Sequence, residues 1–538
     1  MWFFARWFCV TSLVVALSMA AWASPTDPVE ITPAPEGGGG AFVPGVREVT
    51  ELRPGYVEQE FFVSGSATLF NYASETPNGP ADIVPIEENL PYQTRMIVRR
   101  PPSSEGFDGT VVIEWWNSTA GFDSAPVWDV SAEYFAREGI VYVGVTNSTT
   151  AIDFLADGCR IFGVLPPSCE ERYETLSLPE NGLAYEMMSQ IAHRLKSNEP
   201  GGPLPAGFEV ERIYHAGQSQ QGGSVITYAS AFHFDANAGY FVQQAATARP
   251  INFGPPCGRD GSEPYPDCTP RLEGADALVR TDLPVPVVHA VSETDIEALF
   301  GPHGRQPDTP TFRYYEVAGG SHLTVHDGVE VLPAGLVGPE ALSLEDLCQF
   351  PINSTADGPV FVSYVFNAMW ENLERQVRAG KRRKNGRWRR RPPAGVTMET
   401  GLAGEVLRDS FGNGLGGVRL PALDAPTATY TPGNSADPQL PPFLQGIGQL
   451  SCRLASSVQP LDAETLGALY KNKGRYLRKV KRSARRLAKK GFLLREDRDA
   501  LLDDAIISAT GCDLDVGTFA VLDPALWSRT SRACRSSR

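Results

Sequence analysis

Ser219 stands in the run Gly217-Gln218-Ser219-Gln220-Gln221-Gly222. Before it comes the apolar segment Ile213-Tyr214-His215-Ala216, and after it a stretch in which Val225, Ile226 and Ala229 lie three and four apart. Strand, tight glycine-bounded turn bearing a serine, then helix: this is the arrangement that exposes a nucleophile. The sharp turn lifts Oγ clear of the backbone, and small neighbours let strand and helix approach closely. The helix aims its N-terminal N–H groups at the same point, where they stabilise developing negative charge. A Gly-x-Ser ahead of a helix also describes an ordinary capping serine. What separates the two is a base for the hydroxyl and a carboxylate for the base. Downstream, Pro284 to Val291 runs into Ser292-Glu293-Thr294-Asp295, and Phe312 to Val317 runs into Ala318-Gly319-Gly320-Ser321-His322. Serine, acid and histidine follow one another in the chain, each just past the carboxyl end of a predicted strand. Together such groups perform acyl transfer.

The acid is open between Asp295 and Glu293; Asp295 is preferred because it lies further beyond the strand end. His322 directly follows the Gly-Gly-Ser turn and is preferred over His326 as the base. His289, flanked by Val288 and Ala290 in mid-strand, reads as a buried structural histidine, and His193 as non-catalytic. The oxyanion requires two N–H donors. One is Gln220, the residue after the nucleophile; the other comes from the segment after the strand Thr110–Asn117, with Asn117 and Ser118 as candidates. Trp115 and Trp116 point to opposite faces of that strand, so one belongs to the core and the other is a candidate for the acyl pocket.

These groups need a sheet to converge on. Strand-like runs occur at 56–63, 92–99, 110–117 and 140–145, and helical spacing at 129–137 and 183–195. Strands alternating with helices imply parallel pairing with helices on both faces, and sites at the carboxyl edge of the sheet. The chain order serine, acid, histidine is that of α/β-hydrolases, so the expected fold is of that type: a mostly parallel central sheet flanked by helices, with a catalytic domain over 46–375. Residues 233–283 carry little periodicity and are expected to form a cap insertion. A basic disordered loop is expected over 376–395, a C-terminal extension packed on the body over 396–510, and a tail over 511–538.

Composition narrows the compartment and the partners. The 538 residues carry a net charge of −15, which disfavours nucleic acid as a bulk partner. Arg6, an apolar core over 10–21 and Ala21-Trp22-Ala23 form a signal peptide over 1–23, followed by a Pro/Gly-rich flexible linker over 24–45. Its apolar run is too short to span a membrane, so a secreted or periplasmic product is expected. Cleavage removes Cys9 and leaves eight cysteines. The close pairs Cys159/Cys169 and Cys257/Cys268 suggest small disulfide loops, with Cys348/Cys452 and Cys512/Cys534 as the leftover pairings. None has C-x-x-C spacing, and the chemistry needs neither metal nor cofactor. Two basic blocks interrupt the acidic average. Residues 381–391 contain no acidic side chain, and 471–490 carry an apolar stripe (Leu477, Val480, Ala484, Leu487, Ala488) expected to dock as an amphipathic helix.

The elbow at Ser219, the Ser292–Asp295 run and Glu316-Val317-Ala318-Gly319-Gly320-Ser321-His322 resemble the secreted bacterial alpha/beta hydrolase domain proteins. So do Glu60 to Thr68, Gly417 to Pro426, Leu469-Tyr470-Lys471 and Gly491 to Asp497. The resemblance covers about residues 55–505 and implies a serine hydrolase acting on small carboxylic esters. It also implies that the Ser219-Gln220-Gln221 variant of the elbow belongs to the family, although the wider superfamily has glycine where Gln221 stands. The block 381–391 has the character of an insertion.

Overall fold

A computed structural model describes residues 29–36, 41–44, 55–72, 83–160, 169, 171–234, 236–245, 278–280, 282–323, 344–352, 362–378 and 392–510. Nine strands form its main sheet: β1 (Glu30–Pro33), β2 (Val57–Tyr72), β3 (Ile83–Arg100), β4 (Thr110–Trp115), β5 (Val141–Val145), β6 (Arg212–Gln218), β7 (Asn237–Gln243), β8 (Val287–Ser292) and β9 (Phe312–Val317). They lie in the order β1-β2-β3-β5-β4-β6-β7-β8-β9. The first three strands and the β3–β5 contact are antiparallel; from β5 through β9 every pairing is parallel. The central strands are buried along their whole length, as expected where helices cover both faces.

The covering helices are α1 (Pro126–Glu138), α2 (Thr149–Ala156), α3 (Ala184–Ser197), α4 (Gln220–Thr227) and α5 (Val362–Val377). Aromatic contacts show the two faces. On one, Trp115 of β4 meets Tyr185 of α3 and Tyr228 just beyond α4. On the other, Trp370 of α5 stacks on Phe241 of β7 at 4.3 Å and meets Phe135 of α1, a stack that contributes about 1 kcal/mol beyond its buried area.

Beyond β9 the C-terminal extension joins the body. Glu316 N donates to Val396 O (3.0 Å) and Ala318 N to Val418 O (3.1 Å), so the extension lines the outer edge of β9. It continues through the two-stranded sheet of β10 (Ala428–Thr431) and β11 (Ser457–Pro460) to helices α6 (Pro442–Leu454), α7 (Lys473–Lys490) and α8 (Arg495–Thr510). The apolar stripe of α7 is buried through Val480, Ala484 and Leu487, as its spacing predicts.

Three expectations need correction. Residues 30–33 are not linker: they pair with β2, and Val29 and Ile31 are buried. Further along the same stretch, Phe42 O accepts from Arg95 and Pro44 O from Arg99. Residues 237–243 are not cap: they form β7, inside the sheet. Residues 376 and 377 of the expected basic loop are helix, because α5 runs to Val377. Residues 246–277 of the expected cap, the segment 1–23, residues 381–391, 511–538, His326, Cys257, Cys268, Cys512 and Cys534 lie outside the described residues.

Cys159 bonds to Cys169 and Cys348 to Cys452, closing separations of 10 and 104 residues. The longer loop removes more entropy from the unfolded chain. Cys452→Ser is therefore expected to lower unfolding free energy by about 2 kcal/mol more than Cys169→Ser. Urea midpoints of the two variants check this, and the reverse order would contradict it.

Candidate active site

The elbow follows from β6 and α4. Ser219 adopts φ 56° and ψ −118°, a left-handed conformation that is costly for a non-glycine residue and is held here by its surroundings. Its N–H still donates to Gln243 O of β7 (2.9 Å), and its carbonyl accepts from Gly223 N (3.1 Å). The close approach of helix to strand needs glycine at two places. A Cβ on Gly217 would lie 2.4 Å from Gln221 O, and one on Gly222 2.7 Å from Ala245 Cβ. Thus Gly222, three residues after the serine, takes the close contact, and Gln221 is accommodated as a buried side chain.

His322 Nδ1 lies 2.5 Å from Asp295 Oδ1, with both side chains almost wholly buried. The other oxygen of Asp295 accepts from the N–H and hydroxyl of Ser292, each at 2.6 Å. Between the two acids left open by the sequence, the imidazole therefore meets Asp295. Glu293 faces elsewhere: it pairs with Arg408 at 2.6 Å and accepts from Gly319 N at 2.6 Å. Burial pushes its carboxyl up from the usual range and Arg408 opposes that shift. Glu293 thereby braces the Gly319-Gly320 turn that carries His322.

The second imidazole nitrogen faces the elbow. Gln218, the residue before Ser219, places its amide nitrogen 3.2 Å from His322 Nε2. Asn117 Nδ2 donates to Gln218 Oε1 and to Gln218 O, both at 3.1 Å, which fixes the orientation of that amide. An amide NH2 can only donate, so Nε2 is the acceptor and Nδ1–H donates to Asp295. That tautomer suits a general base. Its one Nε2 lone pair is held by Gln218, however, and among the described residues no hydrogen bond joins Ser219 Oγ to His322, so the amide must yield that lone pair to the hydroxyl. Gln244, in a left-handed conformation at φ 52°, completes the frame: Gln218 Nε2 donates to its Oε1 (3.2 Å), and its own Nε2 donates to Ser321 O (2.6 Å). From the extension, Ser456 N donates to Ser321 Oγ (2.8 Å), and Leu323 N donates to Leu454 O at the end of α6 (3.0 Å). Phe300 lies edge-on to the imidazole at 6.0 Å.

The loop after β4 is anchored at both ends. Glu114, fully buried, accepts from Val127 N (2.8 Å), Trp128 N (2.9 Å) and Tyr142 Oη (2.7 Å), and burial raises its carboxyl to about 8. At the other end Asp123 accepts from Arg95 (3.0 Å) and Thr146 (2.5 Å). One expectation fails here. The Asn117 N–H donates to Ser124 O (3.1 Å) and is not free for an oxyanion; Asn117 contributes its side chain to the Gln218 clamp instead. Among the described residues nothing accepts from the N–H of Ser118 or of Gln220, the first residue of α4. Thr119 Oγ1 bonds Gln220 Oε1 (3.1 Å), tying this loop to the elbow.

Trp115 and Trp116 are both core. Trp115 Nε1 donates to His215 (3.1 Å) and Trp116 Nε1 to Tyr142 (2.8 Å), leaving neither for an acyl pocket. His289 is buried with its Nε2 on Ala245 O (2.8 Å), and burial lowers its pKa to about 4, consistent with a structural role. His193 is exposed. Among the described residues no three His, Cys, Asp or Glu side chains gather as a metal site. Gln218, Gln244, Ser292 and Arg408 escape sequence reasoning, because an isolated polar residue carries no motif.

A family model described as an alpha/beta hydrolase domain matches residues 31–503. No curated protein matches the chain. Among solved structures, an esterase from Pyrococcus furiosus is similar at 9% identity over 52% of this chain and 88% of that one, with a TM-score of 0.26. The glucuronoyl esterase from Solibacter usitatus is similar at 10% identity over 48% and 76%, with a TM-score of 0.25. The poly(3-hydroxybutyrate) depolymerase from Bordetella parapertussis is similar at 14% identity over 40% and 66%, with a TM-score of 0.23.

Proposed function

This chain belongs to the alpha/beta hydrolase domain family, and from that premise we propose that it is a secreted serine hydrolase of carboxylic esters. Ser219 Oγ attacks the ester carbonyl while His322 Nε2 takes its proton. Asp295 holds the imidazole in the Nδ1–H tautomer and stabilises it when charged. The N–H groups of Gln220 and Ser118 receive the oxyanion. The tetrahedral intermediate then expels the alcohol, which takes its proton from His322, and leaves an acyl ester on Ser219. Water, deprotonated by the same imidazole, attacks that ester, and the carboxylic acid departs with Ser219 restored. Atoms and charges balance without a metal or cofactor.

The observation that carries this reading is the pairing of two features. His322 bonds Asp295 through Nδ1 at 2.5 Å and turns Nε2 toward the residue before Ser219, which itself sits at φ 56°. Secretion rests on the character of residues 1–23 and on the two disulfides, which form in oxidising compartments. Among the described residues no helix is long and apolar enough to cross a membrane.

The test is a fluorophosphonate probe together with a panel of p-nitrophenyl esters and anilides on the mature, oxidised protein. Labelling at Ser219 with ester turnover supports the proposal. Anilide cleavage without ester cleavage makes the protein an amidase on the same groups. Absence of labelling makes it a ligand-binding protein that keeps the fold.

A further inference from the structure

Helix α7 carries ten Lys and Arg among its 18 residues and no acidic side chain, in a protein whose net charge is −15. Its apolar side is spent on the fold: Tyr476, Val480, Ala484 and Leu487 are buried, and the helix packs against α8 and the turn Pro421–Asp424. The basic residues consequently fan over the opposite side, and nine of the ten are exposed. Arg486 is paired with Asp424. Among the described residues none of Arg475, Arg478, Lys479, Lys481, Arg482 and Arg485 pairs with a carboxylate.

Six pairs of basic residues on this face stand four apart, starting from 475–479 and 478–482 and ending at 486–490. Like charges at that spacing repel and weaken a helix. A surface of this kind works against local stability unless counter-charge from outside relieves it.

We propose that the exposed face of α7 docks the protein on an anionic phospholipid surface. The form of the face selects this partner. A helix surface is convex, and this one is about 27 Å long at 1.5 Å per residue. It thus offers no groove to track a single polymer strand, and its exposed residues include no aromatic side chain on which nucleic-acid bases would stack. A row of ammonium and guanidinium groups on a convex face matches a planar array of phosphate headgroups. Because the apolar stripe is already buried, the contact is peripheral and non-inserting, and salt reverses it.

The experiment uses the full mature chain and vesicles of phosphatidylcholine with or without phosphatidylglycerol, read by co-sedimentation. Wild type should bind the phosphatidylglycerol vesicles at least about tenfold more tightly, and molar salt should abolish the difference. The variant Arg478→Gln/Lys481→Gln/Arg482→Gln/Arg485→Gln should lose that preference while its melting temperature stays equal or rises, because repulsion is relieved and glutamine suits a helix as well as lysine does. Equal binding to both vesicle types overturns the proposal. So does a variant that still binds, which would assign the contact to another basic segment. Tight binding of duplex DNA or heparin with no preference for phosphatidylglycerol would overturn it in favour of a polymeric polyanion. Ester turnover, measured alongside, separates this inference from the proposed activity, since none of the four residues belongs to the site.

Discussion

Ser219→Ala is expected to abolish ester turnover, lowering kcat by about 10⁶-fold while KM changes little, because nucleophile and base act as a unit. Residual activity should stand about 10³-fold above the uncatalysed rate, since the Gln220 and Ser118 N–H groups would still face the carbonyl oxygen. A companion variant tests the strain at the same position. Ser219 is held at φ 56°, and glycine adopts such a conformation without steric cost. Ser219→Gly should therefore be equally inactive yet more stable than wild type by about 1 kcal/mol. Steady-state kinetics on p-nitrophenyl acetate and urea midpoints check both results. Turnover within tenfold of wild type in Ser219→Ala would remove the hydroxyl from the mechanism.

The second large effect separates two neighbouring carboxylates. Asp295→Asn should lower kcat by about 10⁴-fold, because an amide favours the wrong imidazole tautomer while leaving the geometry intact. Glu293→Gln should leave kcat within about tenfold but lower stability by about 2 kcal/mol, because the charge-assisted bond to Arg408 is lost. Kinetics and urea midpoints on the two variants give a crossed pattern: activity without stability for one, stability without activity for the other. If Glu293→Gln shows the loss of rate and Asp295→Asn does not, the acid has been assigned to the wrong residue.

Much of this architecture was legible in the chain, for a physical reason. β4, β5 and β8 are short, mostly apolar runs rich in β-branched and aromatic residues, as fully buried parallel strands must be, and β9 keeps the aromatic part of that pattern. The Gly-x-Ser turn shows because only small residues fit where α4 meets β6. The stripe on α7 shows because burial repeats with the helical period. β7 was missed: its sequence, Asn237-Ala-Gly-Tyr-Phe-Val-Gln243, opens on turn-forming residues and has only a short apolar stretch. β1 was hidden by the prolines and glycines around it, and it forms only because β2 offers an unpaired edge.

Short stretches of chain were enough to read the succession of the strands that carry the chemistry and the serine, carboxylate and histidine just past them. Those features depend on local sterics and on which residues can be buried, and both are written in short stretches of chain. The folded chain, by contrast, set which carboxylate the imidazole touches (Asp295 and not Glu293), turned Asn117 from donor to clamp, and brought Gln218, Gln244 and Arg408 into the frame around the imidazole. Each of those outcomes depends on where distant segments meet once the sheet has closed, and a side chain's hydrogen-bond partner carries no periodicity that the linear chain could display.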